Sequence, residues 1–234
     1  MTRILAIDAS TEACSVALYN QGEVTERYQV APRQHANLLL PQIKELLSDS
    51  SLSLSQLDAI ACNIGPGAFT GIRIAVSVAQ GLAYGANLPT ISLSSLCNLA
   101  YVGKAHKPEL NTWIAAIDAR MSEVYFSAYE LSKENSLCLC DERVINPELI
   151  DWGFLESTNT AGQIGLIGSG WGAYQSSMLE VPQLSAYEYV EDCFPRASAS
   201  FPQALDLYQH GGLLSPEALQ PSYLRNQVAE KKKA

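Results

Sequence analysis

Asp8 closes a short apolar run and is followed by Ser10 and Thr11, so one carboxylate and two hydroxyls can share a turn. Such a trio can hold a phosphate or a Mg²⁺ ion. It can equally satisfy the backbone N–H groups of its own turn. Asp118 repeats the context, but Arg120 follows it and puts a large cation where a phosphate turn needs space. Gly65-Pro66-Gly67-Ala68-Phe69-Thr70-Gly71 is glycine-rich and leads into a helix whose free N–H groups could meet an anion. No lysine follows it as in GxxxxGK[ST], so a tight strand-to-helix connection is the expected role. His35, His106 and His210 form no HxxxH or HExxH pair, and each reads as a cap or surface residue. There is no Gly-x-Ser-x-Gly turn. The six cysteines are scattered, and Cys138 and Cys140 are expected on one face of a strand. Buried reduced thiols, with no disulfide and no zinc site, are the reading they support.

The elements that must position these residues follow from the apolar pattern. Ile4–Ile7, Cys14–Tyr19 and Glu23–Val30 read as strands joined by short links, hence antiparallel neighbours. Gln34–Ser48 has helical spacing, with Pro41 expected to kink it or delay its start. Ala59–Ile64 is a buried-strand run, and a second helix spans about Gly71–Gly85.

The second half begins again in the same way. Ile4-Leu5-Ala6-Ile7-Asp8-Ala9 aligns with Ile114-Ala115-Ala116-Ile117-Asp118-Ala119, differing only at Leu5/Ala115. Tyr19 meets Tyr129 at the same offset, and Ile64-Gly65-Pro66-Gly67 resembles Ile167-Gly168-Ser169-Gly170. Ordered matches argue for duplication. The expected fold is α/β: two β-β-β-α-β-α lobes of the actin-like, sugar-kinase-like (ribonuclease H-like) class. The second lobe is reduced, with Ile164–Ile167 its one clear strand after Val144 and modest helices near Ala173–Leu179 and Ala197–Tyr208. The first lobe is placed at 1–107 and the second at 108–211, with about 212–234 packing back on the first.

The second helix carries small residues at every fourth position, Gly71, Ala75, Ala79 and Ala83, and Arg73 is its one charge. A helix on one face of a sheet keeps a polar outer side. This one lacks it and must be covered twice, by its own sheet and by another helix. The Gln34–Ser48 helix of the same chain and a partner's helix fit equally well.

Composition sets the outer limits. With 15 Lys+Arg against 24 Asp+Glu the net charge is -9, and 47% of the residues are hydrophobic. That is an ordinary globular balance, large enough to bury a core without staples. An acidic chain does not grip phosphates or an anionic membrane by itself. Four apolar residues before Asp8 are too few for a signal peptide, and no run reaches the ~18 residues of a membrane span, so a cytoplasmic protein is expected. Lys231-Lys232-Lys233 is read as a short solvated tail.

Four segments resemble the TsaB (YeaZ) family: Ile4–Thr11, Gly65–Arg73, Ile117–Tyr125 and Pro221-Ser222-Tyr223-Leu224-Arg225. The resemblance implies an actin-like fold and a non-catalytic scaffold or activator subunit in tRNA threonylcarbamoyladenosine synthesis. It implies a related catalytic subunit, TsaD, as partner, a TsaE-like ATPase reached through it, and a homodimer when alone. TsaD carries an HxxxH metal site after its glycine-containing helix; Ser95 and Leu99 stand in those places here. No catalytic, cofactor or metal residue is therefore expected. The two helices become the partner face, assigned to His35, Leu39, Ile43, Gly71, Ala75, Ala79 and Ala83. The acidic charge adds that the chain binds tRNA weakly on its own. Two other readings stay open: an ATP-dependent kinase or ATPase using Asp8, and a glycoprotease-like peptidase.

Overall fold

The computed structural model describes residues 2–132, 136–156, 164–179, 184, 186–191 and 193–225; the Lys231–Lys233 tail lies outside them. The first half opens with strands β1 (Arg3–Asp8), β2 (Ala13–Asn20) and β3 (Glu23–Val30). Helix α1 (His35–Asp49), strand β4 (Ala59–Asn63), helix α2 (Phe69–Ala86) and strand β5 (Thr90–Leu93) follow. The sheet order is β3-β2-β1-β4-β5. Strand β1 is central, antiparallel to β2 and parallel to β4. Both its faces are covered, which is why Ile4–Ile7 is a continuous apolar run without alternation. Strand β3 forms the edge and carries Glu23, Glu26 and Arg27, a charged composition that discourages further pairing. Helix α1 runs through Pro41 from its expected start.

Next come helix α3 (Ser95–His106) and strands β6 (Thr112–Arg120), β7 (Glu123–Leu131) and β8 (Ser136–Ile145). Strand β9 (Ile164–Ile167), helices α4 (Ser169–Ala173) and α5 (Gln175–Met178), strand β10 (Tyr187–Val190) and helix α6 (Phe201–Gln209) complete the set. Read from β8, the second sheet runs β8-β7-β6-β9-β10, the order of the first. The duplication is therefore topological, and the chain has the two lobes of the actin-like fold. The reduction falls on the helices: α4 and α5, of 5 and 4 residues, both follow β9, where the first lobe has the 18-residue α2 after β4. Among the described residues the place of the 15-residue α1, between β8 and β9, holds only short helical turns. The sheet keeps all five strands. Strand β10 was not expected, because Tyr187-Glu188-Tyr189-Val190 is too short and mixed to show a pattern.

Two helices pack on the lobe opposite to their sequence position. Leu96, Leu99 and Ala100 of α3 join Trp113, Ala115 and Ile167 of the second sheet. Phe201 and Ala204 of α6 join Ile4, Ala6 and Ile91 of the first. The segment after α6 also lies on the first lobe, where Thr90 and Leu214 exchange backbone hydrogen bonds of 2.8 Å and Leu219 is fully buried.

The cysteines need one correction. All six are free, but a register shift in the β7–β8 ladder leaves Cys140 in the core and Cys138 exposed. The two do not share a face, because a bulge resets the alternation between them. Cys193 is half-buried, so the expectation of buried thiols fails for two of the six.

Candidate functional site

A cleft of about 600 Å³ lies between the lobes, and all four segments singled out in the sequence reach it. Ser10 and Thr11 come from the end of β1, Gly67–Arg73 from the start of α2, and Ile117–Arg120 from the end of β6. Tyr125 and Pro221–Arg225 close the far wall. Strand ends and helix starts meet here because each lobe places its β1-type strand beside its glycine turn.

Asp8 does not face this cleft. Its side chain is buried beneath the floor, where one carboxylate oxygen accepts from the Ser10 N–H and Ser10 Oγ, both at 2.8 Å. The other accepts from Asn63 Nδ2, which also lies 3.3 Å from Ser200 Oγ. Burial pushes the Asp8 carboxyl up to about 6, against the opposing pull of these hydrogen bonds. The trio thus serves its own turn, and its carboxylate is turned away from the cleft where an ion would sit.

Asn98 extends the buried network to the second crossing between the lobes. Its Nδ2 donates to Ser200 Oγ at 2.5 Å and to the Arg196 carbonyl at 2.7 Å, while its Oδ1 accepts from the Arg196 N–H at 2.9 Å. Arg196, stacked over Tyr28, in turn donates to Glu26 from Nε at 3.0 Å and from Nη2 at 2.6 Å. These two charge-assisted bonds hold Glu26 below the usual carboxylate range in spite of its burial, with Ser198 and Ser15 also donating to it.

The glycine turns fill a structural need. A Cβ on Gly67 would sit under 3.0 Å from the Ser10 carbonyl oxygen, and one on Gly71 equally close to that of Ala9. Gly168 stands in the same relation to Ala116, at a φ of +105° that L side chains rarely adopt. In both lobes the turn presses against the strand end, and the Ala68 N–H is spent on the Ser10 carbonyl at 2.7 Å. The tight-connection reading holds.

Asp118 does line the cleft, but its own turn occupies it. It pairs with Arg120 at 2.9 Å and accepts from the Arg120 N–H at 2.8 Å and the Tyr174 hydroxyl at 3.2 Å. Arg73 stacks on Phe69 with its guanidinium 3.2 Å from the ring centre and lies 5.0 Å from that of Tyr223. Neither aromatic carried a role in the sequence, since isolated aromatics in connecting segments give no periodic signal. Among the described residues no group of three or more His, Cys, Asp or Glu is arranged to hold a metal ion.

The seven residues assigned to a partner face are all buried within the chain. His35 is enclosed, with Nε2 3.2 Å from the Ala13 carbonyl, so it is not the cap or surface residue expected. Leu39, Ile43, Ala75, Ala79 and Ala83 share one core beneath α1 and α2. Gly71 is buried at the start of α2. The small stripe is thus covered by the chain's own elements, and as contact residues these seven are corrected. The outward side of α2 carries exposed Ser77, Gly81 and Gly85 beside Ile74 and Val78, which are half-buried against the same core, and Leu40 of α1 is half exposed. A Cβ on Gly81 or Gly85 would meet nothing within 4 Å.

Comparison with known proteins agrees with this architecture. The family model described as TsaD, tRNA N6-adenosine threonylcarbamoyltransferase, matches residues 17–165. The tRNA threonylcarbamoyladenosine biosynthesis protein TsaB of Escherichia coli is 38% identical, covering 98% of this chain and 97% of that protein. Its namesake in Haemophilus influenzae is 37% identical over 98% and 96%. The solved structure of YeaZ from Pseudomonas aeruginosa superposes with a TM-score of 0.85 at 38% identity, covering 96% of this chain and all of that one.

Proposed function

The chain belongs to the TsaB (YeaZ) family of tRNA threonylcarbamoyladenosine biosynthesis proteins, and from that premise we propose that it is a non-catalytic scaffold or activator subunit. Its partner is a TsaD-like catalytic subunit, through which a TsaE-like ATPase is engaged, and alone it forms a homodimer. It works in the cytoplasm and does not supply the main tRNA-binding surface, in keeping with its charge of -9. Among the described residues no helix is long and apolar enough to cross a membrane.

The observation that carries the reading is the outward face of α1 and α2. Exposed Ser77, Gly81 and Gly85, beside the half-buried Ile74 and Val78, form a stripe of small residues that a second helix can approach closely, flanked by exposed Leu40 and Tyr84. The seven buried residues named from the sequence support this face from beneath. Asp8, which a kinase or ATPase of this fold would turn toward its substrate, is enclosed and hydrogen-bonded. Ser95 and Leu99 are buried in α3, and among the described residues no group of three His, Cys, Asp or Glu is arranged to hold the metal of a metallopeptidase.

Reconstitution tests the role. Modification of tRNA is expected to require this chain together with the catalytic subunit and to be absent when either is omitted. Modification of equal rate without this chain would overturn the proposal. Gly81→Glu tests the surface, because the new side chain meets only open space in the folded monomer. It is expected to leave thermal stability unchanged or raised and to weaken association with the TsaD-like subunit on the order of 100-fold, through an unpaired charge forced into an apolar contact. Calorimetric titration showing wild-type affinity would place the interface elsewhere.

A further inference from the structure

The segment Pro221–Arg225 forms one wall of the cleft, and its two ends are held very differently. On the first lobe the anchors are backbone and core. Ser222 N–H donates to the Ile64 carbonyl at 2.9 Å, Gln80 Nε2 donates to the Leu219 carbonyl at 2.9 Å, and Leu219 itself is fully buried. Across the cleft, among the described residues, the segment's hydrogen bonds to the second lobe come from one side chain. Arg225 pairs with Glu123, reaches the Arg120 carbonyl at 3.4 Å and touches Met121 Sδ at 3.6 Å. The turn that receives it holds Arg120, Met121 and Ser122 at φ of 61°, 57° and 60°, three successive non-glycine residues in the left-handed region. That costly turn directs the Arg120 carbonyl toward Arg225. Between the two anchors Tyr223, 55% exposed, lies against Arg73.

We propose that Pro221–Arg225 is a strap across the interlobe cleft, hinged on the first lobe and latched to the second by Arg225 on Glu123. A firm buried anchor at one end and a single, partly exposed ion pair at the other is the arrangement of a segment that opens from one side. The latch side chains are part-buried, 19% and 34% exposed, but they are the segment's one hold on the second lobe, where the other end is held by backbone and core, so the latch is the low-stability end of an otherwise well-held segment. Release of Arg225 lifts Tyr223 and Leu224 from the wall while the anchors at Leu219 and Ser222 stay in place. The cleft floor, including Ala119, then opens to solvent.

The test places a thiol on the floor of the full-length protein. Ala119→Cys is labelled with a bulky maleimide, and modification at that position is read by peptide mass spectrometry so that the native cysteines do not interfere. Adding Arg225→Ala, or separately Glu123→Gln, is expected to speed labelling at least 10-fold. The charge-exchanged pair Arg225→Glu with Glu123→Arg is expected to restore slow labelling, which separates a latch from a general loss of fold. An unchanged rate in both single variants would overturn the strap. So would acceleration in the charge-exchanged pair equal to that in the single variants.

Discussion

Replacing Asp8 with asparagine is expected to stabilise the protein by about 3 kcal/mol at pH 8 and by almost nothing at about pH 3. The carboxyl is fully enclosed, and burial raises it from 3.8 to about 6. A carboxylic acid so raised favours the folded state only when neutral. Below about pH 3 it is protonated in both folded and unfolded chains and costs nothing. As the pH rises toward 6 the unfolded chain ionises freely while the folded one resists. Above pH 7 the whole difference counts against folding. The amide keeps the oxygen that accepts from Ser10, and Asn63 can turn its Oδ1, which is buried without a partner, toward the new N–H group. His35 acts electrostatically in the opposite direction, and Cys14 and Cys62 sit near enough to feel the Asp8 charge. Urea unfolding of both proteins between about pH 3 and pH 8 checks this. A stability difference that does not change with pH would show that Asp8 is already solvated or compensated in the folded chain.

That result bears on how far the sequence reaches. The repeat of Ile4–Ala9 at Ile114–Ala119 made the two-lobed architecture legible, because central strands buried on both faces leave an uninterrupted apolar signature. Strand β10 and the exchange of α3 and α6 between lobes were not legible. Short edge strands have little pattern, and the choice of which sheet a helix covers is made by contacts far apart in sequence, such as Phe201 with Tyr19. The site shows the same limit. Spacing placed Asp8, Ser10 and Thr11 in one turn, but only the position of Asn63 and Ser200 turns the carboxylate inward. Spacing also placed Gly71, Ala75, Ala79 and Ala83 on one face of a helix. It could not say which face the chain itself covers, since small residues suit an internal and an external neighbour equally. Arg225 gave no signal beyond its place in a family segment. Its meaning depends on Glu123, a hundred residues earlier in the chain, as on the Arg120–Ser122 turn.

Two glycines of α2 separate the internal face from the external one, and their replacement by alanine is expected to act in opposite directions. Gly71→Ala puts a methyl group into the Ala9 carbonyl oxygen, closer than 3.0 Å. The obstacle is backbone at the end of the central strand, which cannot rotate aside as a side chain would. The helix start must lift from β1, disturbing the Ala68 bond to Ser10 beside it. A loss of about 3 kcal/mol is expected, the upper end of the usual cost of overpacking. Gly81→Ala meets nothing within 4 Å and exchanges the poorest ordinary helix former for the best, so a gain of about 1 kcal/mol is expected. The roughly 4 kcal/mol between the two variants lies well outside the error of denaturant unfolding. Equal midpoints would mean that α2 does not pack against β1 in solution as described. If Gly81→Ala is stabilising in the monomer yet weakens association with the proposed TsaD-like partner, the glycine is kept for close approach of a partner helix. Its cost to the isolated chain is then offset in the complex.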